Sequence, residues 1–556
     1  MQRWCQYLLV TLTVLTFSTG ISGTVISPAI PRAKVSINCG KIDGVWSKSS
    51  AGFSFRGIPY ASPPVGNLRW RPPVPVRRKN RNCWKGILQA HNFQSQCVQR
   101  DKENHSIVFG NEDCLYLNVL TPTLNSSAKL PVMFWIHGGY LLYGNGNQYN
   151  IGYAPTLALA KQLNVVFVSI NYRLNAFGFM ALKWLQNNSS TNTSGNYGFM
   201  DMIEGLRWVQ KNIHKFGGDP NQVTAFGQSS GGTSLIALLS SPLCQGLFDK
   251  VLIMGASPVM NKTAEEAFKD NEIFIKNTGC SDVSCLYELP AYDVIINIPW
   301  GVYPYWAMED ILSLPEFGKF DGALIVIDGY VLLEPPLDTW SRGNGVDVPV
   351  MIGTTAQEVD VAPIPRKFQN WTWQTNDYKD HVTKKLGTFN NMIARAALNL
   401  YPVNVSTPEF QYTTMVTDAR IGCATDYLAT VLASGMTSPV YRYVATYYTK
   451  GHSAKPFGTK YPVNYAYHGI DVFGFFQTMN VVLGAAPESL DTRWENHVQS
   501  EILAFVKTGS PATGDWLKYP DVTAELDTET KPFRSYHAAQ CEFWLQNGFF
   551  SYSWIN

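Results

Sequence analysis

The run Gly227-Gln228-Ser229-Ser230-Gly231 sets a hydroxyl between two glycines, each two positions away. A serine in this G-x-S-x-G spacing suits covalent catalysis. Its oxygen attacks a carbonyl, and the acyl group rests on the enzyme until water removes it. The glycines matter because such a serine sits at the tip of a sharp turn, where neighbouring backbone passes close by. A second glycine segment, His137-Gly138-Gly139-Tyr140, could aim backbone N–H groups at the oxygen of a tetrahedral intermediate. The pentapeptide alone is weak evidence, since a Gly/Ser turn produces it too. Its flanks strengthen it.

The elements that must position these residues are legible nearby. Val223–Phe226 is an apolar run entering the turn, and Ser234–Leu239 leaves it with a helical pattern. Val132–Ile136 ends directly in the His137 segment. Further apolar runs at Val165–Ile170, Val251–Met254 and Val348–Ile352 do not alternate, which predicts parallel strands covered on both faces. Between them, Ile203, Leu206, Val209 and Ile213 make one apolar stripe at helical spacing over Met202–Ile213. Strands alternating with helices predict an α/β fold, a large mostly parallel central sheet flanked by helices, with its site at the carboxyl ends of the strands.

Several longer segments, in order along the chain, closely resemble the type-B carboxylesterase/cholinesterase family of α/β-hydrolases. They include Phe55-Arg56-Gly57-Ile58-Pro59-Tyr60-Ala61 and Glu112-Asp113-Cys114-Leu115-Tyr116-Leu117-Asn118-Val119. Asn171-Tyr172-Arg173, Gly195-Asn196-Tyr197-Gly198 and Phe216-Gly217-Gly218-Asp219-Pro220 through Gly231 follow. The resemblance supplies what spacing cannot. It places the triad acid in Gly353–Val359, at Glu358, and the base in His468-Gly469-Ile470-Asp471, at His468. Without it, His381, His452, His468, His497 and His537 are equivalent candidates. The order Ser229, Glu358, His468 is the one this fold uses. It implies an oxyanion hole from Gly138, Gly139 and Ser230, a small-molecule ester substrate, and no metal or cofactor. It also implies disulfides Cys97–Cys114, Cys280–Cys285 and Cys423–Cys541, with Cys39–Cys83 as an extra bridge and Cys244 unpaired. Ion pairs Arg56–Glu112 and Arg173–Asp201 would serve the scaffold.

Three departures from the family pattern bear on substrate. Tyr140 stands where a third glycine is usual, which could narrow the acyl side. Gln228 replaces the usual Glu before the serine, as in juvenile-hormone esterases, and removes negative potential. The Cys97–Cys114 loop holds no Trp, so the cation–π contact that binds quaternary ammonium in true cholinesterases is missing. Together these point to neutral or lipophilic esters. The competing expectation is a catalytically weak or silent relative that acts through its surface.

The whole chain fits this reading. Its 556 residues carry 44 Lys+Arg against 42 Asp+Glu, a net charge of +2, so no basic excess exists for nucleic acid. Charged residues are 15%. Arg3 followed by apolar Tyr7–Phe17 and small residues to Gly23 reads as a cleaved signal peptide over 1–23, too short to be a membrane anchor. That leaves 24–556 as one secreted hydrolase domain, because no Pro/Gly/Ser linker divides it. Sequons at Asn104, Asn125, Asn187, Asn188, Asn192, Asn261, Asn370 and Asn404 agree with that compartment. Nine cysteines remain beyond Cys5, none in a C-x-x-C pair, which gives a zinc site little support.

Overall fold

A computed structural model describes residues 32–102, 104–300, 324–361, 373–404, 406–450, 454–459 and 462–553. The signal-peptide segment, Asn370 and His452 lie outside the described residues.

Eleven strands form the central sheet. They are β1 (Val45–Ser47), β2 (Gly52–Pro59), β3 (Tyr116–Thr121), β4 (Leu130–Ile136), β5 (Val166–Ile170) and β6 (Gly218–Gln228), followed by β7 (Lys250–Met254), β8 (Val350–Thr355), β9 (Val440–Ala445), β10 (Thr523–Leu526) and β11 (Thr530–Phe533). Their order across the sheet is β11-β10-β9-β8-β7-β6-β4-β5-β3-β2-β1. From β5 through β10 neighbouring strands are parallel, and both margins are antiparallel. The unbroken apolar runs have a direct cause. In β4, Val132, Phe134 and Ile136 enter one core while Met133 and Trp135 enter the other. In β7, Val251 and Ile253 oppose Leu252 and Met254 in the same way. Successive side chains point to opposite faces, so a strand covered on both sides must be apolar throughout.

Helices supply the cover. On one face lie α1 (Tyr197–Asn212) and α2 (Ser230–Ser240). On the other lie α3 (Ile470–Phe476) and α4 (Ser489–Thr508). Helix α1 starts five residues before the predicted stripe, at the turn made by Asn196 with its left-handed φ of 54°. Residues 33–556 form one compact unit. Among the described residues, no helix is long and apolar enough to cross a membrane.

Disulfides join Cys39–Cys83, Cys97–Cys114, Cys280–Cys285 and Cys423–Cys541, and Cys244 is buried and unbridged. Arg173 pairs with Asp201, Nη2 to Oδ1 at 2.7 Å and Nε to Oδ2 at 2.8 Å, tying the segment after β5 to α1. The expected Arg56–Glu112 pair is not the one formed. Glu112 is held by Arg69 through two contacts of 2.6 and 2.7 Å. The pairing of β2 with β3 shifts register between Phe55 and Ile58, and there Arg56 lies over the Phe93 ring at 4.9 Å. The sequon residues Asn104, Asn125, Asn187, Asn188, Asn192, Asn261 and Asn404 are all exposed.

Candidate active site

Strand β6 delivers Gln228 to its carboxyl end, and helix α2 begins at Ser230. Ser229 between them has φ 60° and ψ −131°, a conformation non-glycine residues rarely hold. Its N–H donates to Met254 O at the end of β7, 2.9 Å away. Gly231 explains the spacing of the motif. A Cβ there would sit 2.2 Å from Ile136 O, so only glycine lets α2 pass the end of β4. The turn leaves the serine at the head of a helix whose free N–H groups favour negative charge.

Glu358 follows β8, and His468 occupies the turn before α3. These two segments are far apart in sequence and are stitched together. Gln357 N donates to Ala466 O at 3.0 Å, and Ala466 N donates to Gln357 Oε1 at 3.2 Å. Asp360 Oδ2 accepts from the amides of Asn464 and Tyr465 at 2.7 and 2.8 Å. Held this way, Glu358 Oε2 makes a short hydrogen bond with His468 Nδ1. The other carboxylate oxygen accepts from Thr355 N at 2.7 Å. Glu358 is fully buried and His468 is 4% exposed.

Two nearby carboxyls are pushed upward, chiefly by burial. Asp360 rises to about 7 despite its two amide donors. Asp471 rises to about 6, and Tyr443 donates to it at 2.7 Å. Burial likewise lowers His137 to about 4, so this ring is neutral at the start of the glycine loop. It stacks on Tyr172 with 4.5 Å between centroids.

The glycine loop lies against the serine. A Cβ on Gly138 would be 2.8 Å from Ser229 Cβ. Gly139 has φ +123°, and a Cβ there would lie 2.1 Å from Tyr143 O. Tyr140 and Leu141 both adopt left-handed backbone, with φ of 59° and 60°. That conformation is costly for side-chain-bearing residues. Ser230 Oγ steadies the loop by accepting from Leu141 N at 3.1 Å. The Tyr140 ring meets Tyr143 edge-on at 5.7 Å.

One expected oxyanion donor is engaged elsewhere. Gly138 N donates to the Tyr153 hydroxyl at 3.0 Å, because that hydroxyl is wedged between the loop and Gln228. Gln228 in turn places its amide nitrogen 2.8 Å from His468 Nε2. Neither Tyr153 nor the Gln228–His468 contact had a sequence signal. Tyr153 is far from any motif, and side-chain direction cannot be read from residue type. His381, His497 and His537 lie elsewhere, bonded to Tyr412, Thr530 and Asp418. Among the described residues, no cluster of three or more His, Cys, Asp or Glu could hold a metal.

Comparison with known proteins shows the family and the fold. The family model described as the Carboxylesterase family matches residues 31–544. The para-nitrobenzyl esterase of Bacillus subtilis is 30% identical over 525 residues, covering 89% of this chain and 95% of that protein. Neurotactin of Drosophila melanogaster is 35% identical over 341 residues, 60% of this chain but only 39% of its own length. A carboxylesterase structure from Geobacillus stearothermophilus superposes with a TM-score of 0.72 at 26% identity, covering 92% of this chain and 100% of that one. With its mostly parallel sheet of α/β-hydrolase type and a match along nearly its whole length, the chain belongs to the carboxylesterase family and is a carboxylic ester hydrolase.

Proposed function

We propose that this chain is a secreted serine carboxylesterase acting on neutral or lipophilic esters, with Ser229 as nucleophile, His468 as general base and acid, and Glu358 as the group that orients it. The observation that carries the reading is the convergence of three distant segments. Ser229 sits buried in a strained turn, and Gln228, the residue before it, reaches the buried His468 that pairs with Glu358. Glu358 at Nδ1 keeps the ring proton there and leaves Nε2 as the acceptor. His468 then takes the Ser229 proton as the oxygen attacks, and returns it to the leaving alcohol. Water repeats the cycle on the acyl-enzyme. The amides of Gly139 and Ser230 are the oxyanion donors in this reading, each worth roughly 2.7–4 kcal/mol of barrier. Gly138 instead anchors the loop through Tyr153.

Preference for neutral esters rests on Gln228, an uncharged residue next to the nucleophile. Secretion rests on the four disulfides, the exposed sequon residues and the apolar segment of residues 7–17. A second reading, a catalytically weak relative working through its surface, draws on the Gln228 amide at His468 Nε2 and on Tyr140 in the loop. Hydrolysis of p-nitrophenyl acetate by the parent and by Ser229→Ala separates the two. The esterase reading expects a loss of about 10⁴-fold or more in kcat. Equal rates in parent and variant would select the second reading.

A further inference from the structure

A run of hydrogen bonds crosses the site without using Ser229. Gly138 N–H donates to the Tyr153 hydroxyl at 3.0 Å. That hydroxyl donates to Gln228 Oε1 at 2.5 Å. Gln228 Nε2 stands 2.8 Å from His468 Nε2, and His468 Nδ1 bonds Glu358. The directions follow from the groups themselves. A backbone N–H can only donate, so the Tyr153 oxygen accepts it and its own proton goes to the Gln228 carbonyl. The carbonyl end of the amide is thereby fixed on Tyr153, and the NH₂ end faces the imidazole. Glu358 holds the ring proton at Nδ1, so Nε2 offers one lone pair. Gln228 N–H occupies it.

Ser229 needs that same lone pair to give up its proton. Gln228 is 1% exposed, so water does not compete to draw its amide away. We propose that Gln228 is a positioning residue that holds the general base in reserve. His468 serves Ser229 only after the Gln228 amide turns from Nε2, and this sets how readily the serine is acylated. Glu at this position could not act this way, because a carboxylate has no N–H to donate. The Gln that replaces the family's usual Glu thus reverses the polarity of the contact with the base. Tyr153 is the second part of the device, since its hydroxyl decides which end of the amide faces His468. The inference rests on the reading of Ser229, His468 and Glu358 as the triad.

The test compares the parent with Gln228→Met, which keeps the side-chain length and removes the N–H. Two quantities are read from the full-length secreted protein. One is the second-order rate of Ser229 labelling by a fluorophosphonate. The other is the imidazole ¹⁵N resonance of His468 Nε2, assigned by its loss in His468→Ala. The proposal expects the Nε2 resonance to move and labelling to accelerate about two- to tenfold, the equivalent of one neutral hydrogen bond. An unmoved resonance overturns it, and so does a moved resonance with labelling equal or slower. If Ser229 is labelled in neither protein, the triad reading fails and takes the proposal with it. If Ser229 is labelled at equal rates in both, only the reserve role fails. Gln228→Leu gives the same comparison should Gln228→Met not fold.

Discussion

A serine hydroxyl is a weak nucleophile until a base is aimed at it, and aiming that base involves more residues than the triad itself. In the proposed triad Glu358 bonds His468, and the loop that carries His468 is fixed by Gln357 and Asp360. Asp360 has a cost that pH reveals. Burial raises its carboxyl to about 7 from the ordinary 3.8, so the folded protein keeps a proton that the unfolded chain releases. Its stabilising share is complete below about pH 4 and is lost as pH rises toward 7, at roughly 1.4 kcal/mol per pH unit. Asp360→Asn keeps an oxygen for both amides and cannot ionise. Urea midpoints at pH 5 and pH 7 are expected to diverge less in Asp360→Asn than in the parent. Equal divergence would show that Asp360 is ionised throughout.

Among the elements, the glycine loop after β4 holds the least ordinary backbone near Ser229. Tyr140 and Leu141 hold left-handed backbone that a glycine adopts without penalty. Tyr140→Gly therefore relieves backbone strain but also removes ring packing and loosens the unfolded chain, so stability is expected to change by no more than about 1 kcal/mol. Removing the ring also opens the side on which it meets Tyr143. The ratio of butyrate to acetate p-nitrophenyl ester hydrolysis should rise in Tyr140→Gly. An unchanged ratio would mean the ring lies outside the acyl path. The strands were readable because β4 to β8 are apolar on both faces, and the elbow was readable because a strand, a G-x-S-x-G turn and a helix are contiguous. Glu358 and His468 were not readable from their own surroundings. Their meeting depends on bonds between residues more than 100 positions apart, and only the family resemblance singled them out. The Arg56–Glu112 expectation failed for a related reason, since a register shift in β2 is invisible in residue types. Short, partly exposed margins such as β1 and β11 gave no apolar signal.

Across the whole molecule, long loops are closed by covalent links of very different reach. Cys423–Cys541 spans 118 residues and joins a cluster containing Trp373, Tyr412 and Trp544. Cys280–Cys285 spans five. Chain entropy makes the longer link worth about 2–3 kcal/mol more. Replacing both cysteines of each pair by Ser should therefore lower the denaturation midpoint more for Cys423/Cys541 than for Cys280/Cys285. The reverse order would show that local packing, not loop closure, governs these bridges. Contacts gather the described residues from 33 onward into one unit built on the eleven-stranded sheet.

The central claim is that Ser229 carries the acyl group. Fluorophosphonate treatment of the folded protein, followed by mass spectrometry of its peptides, tests it directly. The account predicts one phosphonyl adduct, on Ser229, that is lost in Ser229→Ala and strongly reduced in His468→Ala. An unmodified Ser229 peptide in folded protein, or an adduct that persists in Ser229→Ala, would contradict it.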